Sequence, residues 1–314
     1  MRQTFDASVL PSNASLFSCS SHEERCLGIA RNRGGWKPEQ VVLFHYDDDN
    51  PRRERNHEEL RRALGDCPQI VELPICERDI ADSFRQSRTS LSVAMKEAEQ
   101  RSVVVDVSVL TKRHLLLLLR WLDDHGFWDR LWIVYTEPEE YEIDGHLPLS
   151  FGISRIEQIA GFSASPDASR PLHVAMFLGY EGDRAFATYE LLQPRKTTLI
   201  IPDPPFRAEW RGRTEQQNHN LLSLVEGASV VKADSLDPDD SLTTLERTLG
   251  LPTVRSEFAR AICPLGTKPQ IVGAYKYLRL ATDPPAVIYT GALRHNHSFY
   301  SRGVGTSWLI HKPS

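Results

Sequence analysis

Apolar residues in this chain come in short unbroken runs, separated by stretches whose apolar positions recur every three or four residues. Runs at 15–19, 41–46, 69–73, 103–107 and 131–135, several rich in Val and Ile and flanked by polar, Gly or Pro residues, predict buried strands. The stretches between them, at 22–32, 52–64, 79–99 and 111–125, predict helices. Strands that are apolar throughout, alternating with helices, fit a parallel sheet covered on both faces.

The same order then runs a second time. Strands are expected at 172–178, 197–201, 229–233, 260–263 and 286–290. Landmarks recur with them. Glu24-Arg25 follows the first strand, and Asp183-Arg184 follows its counterpart. Asn56-His57 precedes an apolar helix, as does Asn218-His219, and both asparagines read as helix N-caps. Thr111-Lys112 and Thr267-Lys268 follow the fourth strand, while Tyr135-Thr136 and Tyr289-Thr290 end the fifth. An offset of roughly 160 residues holds throughout, drifting by a few as loops allow. The reading is an α/β chain of two tandem Rossmann-like, doubly wound parallel sheets produced by internal duplication. Residues 1–141 form the N-terminal half and 172–314 the C-terminal half. The Gly-, Pro- and Ser-containing segment 142–171 serves as a linker with one short helix, and a tail from about 291 folds back over the second half.

Composition adds bounds rather than detail. The chain has 314 residues, 25% of them charged, and a formal net charge of −5, so no broad field favours nucleic acid or membrane. The N-terminal stretch lacks the basic start and sustained apolar core of a secretory signal, and Leu115–Leu119 is too short to span a bilayer. Five scattered cysteines without a CxxC pair read as reduced, mostly buried thiols of a cytoplasmic protein. Cys19 and Cys26 flank a helix start, where a thiol can be acidified, but they read as buried.

In a doubly wound sheet, ligands bind beyond the carboxyl ends of the strands where strand order reverses, here between the first and fourth strands. The lysines of the two Thr-Lys turns open helices, whose free N–H groups favour an anion. Gly266 permits close backbone approach, and Pro269 suits the first helical turn. Arg25 and Arg184 are candidate phosphate ligands with internal ion pairing as the alternative, and Tyr135 and Tyr289 are candidate base contacts. The acidic turn Asp47–Asn50 lacks the glycine and distal glutamate of a calcium loop. The Arg-x4-His spacings at 52–57 and 120–125 are discounted, and no phosphate-loop, dinucleotide, zinc-protease or serine-elbow motif is present.

A Rossmann-like unit whose fourth strand runs into Leu265-Gly266-Thr267-Lys268 and the helix PQIVGAYKYL resembles the CRISPR-associated Rossmann-fold sensor domains, the CARF domains; Leu110-Thr111-Lys112 matches more weakly. The resemblance implies a paired unit that binds a cyclic oligoadenylate across a two-fold axis. Those proteins usually append an effector domain, which this chain lacks, so a separate protein effector is expected. The expected ligand is a small nucleotide, a cyclic oligonucleotide among the forms it takes, held by Arg25, Thr111, Lys112, Tyr135, Arg184, Gly266, Thr267, Lys268 and Tyr289. No catalytic residue, cofactor or metal is assigned. The alternatives are a phosphodiesterase or nuclease at the same crevice, drawing on Glu23, Glu24, Asp47, Asp106 or Glu137, and a structural subunit of a defence complex. Because Val109-Leu110 stands where the second half has Leu265-Gly266, the first half is expected to hold the less competent pocket.

Overall fold

The computed structural model describes residues 3–47, 50–76, 80–141, 150–162, 169–225, 229–296 and 301–313. Its strands are β1 Gln3–Thr4, β2 Ala14–Ser20, β3 Gln40–Tyr46, β4 Ile70–Ile75, β5 Ser102–Asp106, β6 Leu131–Thr136, β7 Ser150–Gln158, β8 Leu172–Phe177, β9 Lys196–Pro202, β10 Val230–Ala233, β11 Ala259–Pro264, β12 Ala286–His295 and β13 Ser307–His311. The helices are α1 Gly28–Asn32, α2 Pro51–Ala63, α3 Ile80–Glu97, α4 Lys112–Asp124, α5 Gly182–Leu192, α6 Arg213–Gln217, α7 His219–Leu224, α8 Pro238–Thr248, α9 Pro252–Glu257 and α10 Lys268–Leu280. Two compact units result, one of Met1–Glu142 with Phe299–Ser314 and one of Ile143–Ser298.

Each unit is built on a mostly parallel sheet. The first has the order β1-β13-β6-β5-β2-β3-β4 and the second β10-β9-β8-β11-β12-β7. Both contain the same five parallel strands, β4-β3-β2-β5-β6 and β10-β9-β8-β11-β12, with strand order reversing beside β2 and β8. This is the doubly wound arrangement expected from the sequence. The central strands are buried along their length, Ser15, Ser18, Ser20 and Arg260 included. Every residue of β2 and of β11 is buried.

Two segments differ from the reading of the sequence. The stretch read as a linker contains β7, a nine-residue strand antiparallel to β12. The C-terminal residues do not fold back over the second half. Strand β12 extends to His295, and β13 then pairs antiparallel with β6 of the first sheet. The cause is the same in both cases. The fifth parallel strand of each sheet offers a row of unpaired N–H and C=O groups on which a further strand can build, while β4 and β10 are left as sheet edges. The segment after β6 supplies the partner for β12, and the segment after β12 supplies the partner for β6.

The second sheet buries one imidazole. His173 on β8 is fully buried, with Nε2 2.9 Å from Thr198 Oγ1. Burial, with smaller contributions from Lys196 and Arg260, pushes its pKa down from 6.5 to about 4. Between these values the unfolded chain binds a proton that the native chain does not. His173 therefore costs no stability above pH 6.5 and costs progressively more as pH falls towards 4. Urea midpoints measured from pH 7 to pH 4 are expected to fall less steeply in His173→Gln than in the parent chain.

Candidate functional site

The two Thr-Lys turns occupy equivalent places, each on the connection leaving the strand beside the reversal point, β5 or β11. Thr111 is the N-cap of α4 and accepts from His114 N at 3.4 Å; its hydroxyl also lies 2.7 Å from His114 Nδ1. Thr267 is the N-cap of α10 and accepts from Gln270 N at 3.3 Å, while the Gln270 side chain accepts from Thr267 N at 3.0 Å, closing a capping box. Lys112 and Lys268 are the first residues of their helices, and both are partly exposed. The backbone at each threonine is extended and the helix starts at the lysine, which puts the lysine at the positive end of the helix. Pro269 takes the second helical position, where its missing donor has no intrahelical partner to lose.

Gly266 has a packing reason to be glycine. A Cβ there would lie 2.4 Å from Gln270 Oε1 and 2.9 Å from Phe177 Cβ. The residue makes room for the capping glutamine, so its contrast with Val109-Leu110 does not rank the two halves as pockets.

The arginine and tyrosine landmarks are turned into the fold. Arg25 is 2% exposed; it donates to Tyr135 OH at 3.1 Å and pairs with Glu23 at 2.7 Å. Ser301 donates to the same Glu23 oxygen, Oε2, at 2.7 Å, and the Tyr141 hydroxyl also bonds Arg25. Burial works against the Arg25 charge, but Glu23 together with Tyr141 and Tyr135 outweighs it and holds the guanidinium ionised. In the second unit Arg184 donates to the Thr290 carbonyl and pairs with Glu181. The guanidinium carbons lie 5.9 Å from the Tyr135 ring centre and 5.6 Å from that of Tyr289. The recurrence is therefore structural in both copies. An arginine after the first strand is bonded to the end of the fifth, and all four residues are buried.

Asn218 holds the N-cap position of α7 without a side-chain cap bond, Asn56 caps no helix, and the two share a different role. Asn50 caps α2, and Asn56 lies inside that helix. Asn56 donates to the Ser21 carbonyl at 2.9 Å, and Asn218 to the Gly179 carbonyl at 2.8 Å. Both fasten the second crossover to the turn after the first strand. Ser21 is thus the structural equivalent of Gly179.

The remaining candidates are placed as follows. Asp106 is buried and accepts from Ser108 N at 2.9 Å and from the Ser108 hydroxyl. Glu24 accepts from Gly303 N at 3.0 Å, and Glu137 is buried. Asp48 and Asp49 of the acidic turn lie outside the described residues. Cys19, Cys26 and Cys263 are buried, and burial pushes the Cys26 thiol up to about 12, where it is inert as a nucleophile. Arg120 pairs with Asp124 on the surface of α4. Among the described residues no three His, Cys, Asp or Glu side chains converge as a metal site. Nor is any described helix long and apolar enough to cross a membrane.

One constellation had no local signal in the sequence. Ser20 Oγ, at the carboxyl end of β2, lies 3.0 Å from His57 Nδ1 on α2. The opposite ring nitrogen, Nε2, lies 3.3 Å from Glu72 Oε2 on β4. Arg61 donates to the other Glu72 oxygen at 2.6 Å, and the His45 ring centre is 5.0 Å from that of His57. Burial raises the Glu72 pKa, but Arg61 and His57 outweigh it and hold the carboxyl below its usual range. Burial, then His57, lowers the pKa of His45.

No protein-family model and no curated protein matches the chain. Among solved structures, an N-terminal ketoreductase from the macrolactin assembly line aligns over 91% of this chain and 72% of its own, with 11% identity and a TM-score of 0.23. So distant an alignment carries no argument about fold or function.

Two substitutions test these local assignments by urea denaturation. Arg25→Met leaves Glu23 buried without its cation and is expected to cost about 3–5 kcal/mol. Thr267→Ala removes one half of the capping box and is expected to cost about 1 kcal/mol.

Proposed function

We propose that this protein binds a small nucleotide through its phosphates at the first turns of α4 and α10, as a CARF-like sensor in a bacterial antiviral system that signals to a separate protein effector. One observation carries this reading: a Thr-capped helix opening on lysine occurs twice, at equivalent places beside the strand-order reversal of each sheet. Each turn combines the positive end of a thirteen-residue helix with a lysine charge; at α10 the Thr267 and Gln270 N–H groups are taken up by the capping box and Pro269 has none. These groups suit phosphate and carry little information about a base. Arg25, Arg184, Tyr135 and Tyr289 belong to the supporting structure in this reading, and the phosphate contacts fall to Lys112 and Lys268, with Thr111 and Thr267 shaping the turns; the Thr267 hydroxyl donates to the Ser235 carbonyl at 2.7 Å.

Calorimetric titration of the full chain with ATP and with a cyclic oligoadenylate tests the reading. Lys112→Ala and Lys268→Ala are each expected to weaken binding about tenfold, roughly 1.4 kcal/mol. Affinity that is unchanged in both variants overturns it.

A further inference from the structure

The duplication supplies an internal control for the Ser20–His57–Glu72 constellation. Since Ser21 and Gly179 are equivalent, Ser20 corresponds to Leu178 and Ser18 to Met176. Strand register carries the comparison across each sheet. Ser18 is level with Leu43 and Leu43 with Glu72; Met176 is level with Leu199 and Leu199 with Val230. Glu72 therefore corresponds to Val230. Leu178 belongs to the apolar core of the second unit, with Val230 packed against it. Position for position, the same fold is built with leucine and valine in one copy and with serine and glutamate in the other. Nothing in the shared architecture requires the polar pair.

We propose that Ser20, His57 and Glu72 form a nucleophilic relay that hydrolyses a small carboxylic ester. Ser20 ends the first strand of the sheet, at the edge of the strand-order reversal, and is followed directly by a turn into helix. Its hydroxyl is within hydrogen-bond reach of an imidazole whose other nitrogen faces a carboxylate, which is the nucleophile–base–orienter arrangement of acyl transfer. Exposure rises along the relay, from 2% at Ser20 to 22% and 35% for the side chains of His57 and Glu72. A nucleophile this deep selects a compact acyl group. As Ser20 Oγ bonds the carbonyl carbon, its proton passes to His57 Nδ1. Collapse of the adduct breaks the bond to the alcohol oxygen, which leaves with that proton. Water, deprotonated by the same nitrogen, then releases the carboxylate and restores the Ser20 hydroxyl. Glu72 is a positioning residue: it accepts from Nε2–H, so that Nδ1 faces the serine as an acceptor. The proposal stands apart from the nucleotide reading, since the assay contains no nucleotide.

The full chain is incubated with a fluorophosphonate probe and, separately, with p-nitrophenyl acetate. Mass spectrometry is expected to place the adduct on Ser20. Ser20→Ala is expected to lose both labelling and turnover, and His57→Gln to slow turnover by at least about 100-fold. His219→Ala, at the matching place in the other half, is expected to have no effect. Because Ser20 and His57 also tie α2 to the sheet, exposed Glu72 gives the readout that folding does not move. Glu72→Gln is expected to lower kcat about tenfold with KM unchanged, and Glu72→Asp to retain most of kcat. An unlabelled Ser20, equal labelling in His57→Gln, or hydrolysis confined to a p-nitrophenyl phosphodiester overturns the proposal.

Discussion

A parallel sheet of five strands ends in a row of unpaired backbone groups, and closing that row shapes the whole chain. The outer side of β6 and the outer side of β12 each take an antiparallel strand. Neither strand is local in the sense that a hairpin would be: the segment that follows each fifth strand joins the sheet of the other unit. The duplicated halves are therefore complementary through exchange of their sixth strands. The outer side of each fifth strand is paired only by residues contiguous with the other unit.

Within that frame, the two copies solve the same mechanical problems with recurring residues. An arginine after the first strand is bonded to the end of the fifth, and an asparagine on the second crossover holds the turn after the first strand. A threonine starts the helix after the fourth strand. Where the copies diverge, the divergence is chemical. Ser20 and Glu72 in the first unit stand where Leu178 and Val230 complete an apolar core in the second.

The inner parallel strands were legible because burial on both faces leaves a mostly apolar run, as in VVLFHY at 41–46 or VVVDV at 103–107. Strands β7 and β13 were not. Strand β7 contains no buried residue, so SFGISRIEQ lacks the apolar run of an inner strand and reads as loop. The recurrence of Arg25 and Arg184 was visible, but their burial was not, since an arginine paired inside a fold and one awaiting phosphate look alike in sequence. Ser20, His57 and Glu72 come from a strand, a crossover helix and a strand two places away, and meet only through sheet register. Their spacing along the chain matches no compact motif, and the Arg52–His57 spacing that drew attention to the histidine has no part in the geometry.

The exchange of sixth strands also sets an order on biosynthesis. The first unit emerges from the ribosome early, yet the strand that seals β6 is Ser307–His311, made after the entire second sheet. Until then the nascent N-terminal unit carries an open edge at β6 in addition to the one at β4, the kind of surface on which misassembly with a neighbouring chain begins. A late frameshift would thus injure the half translated first and leave the half translated last with its sheet intact.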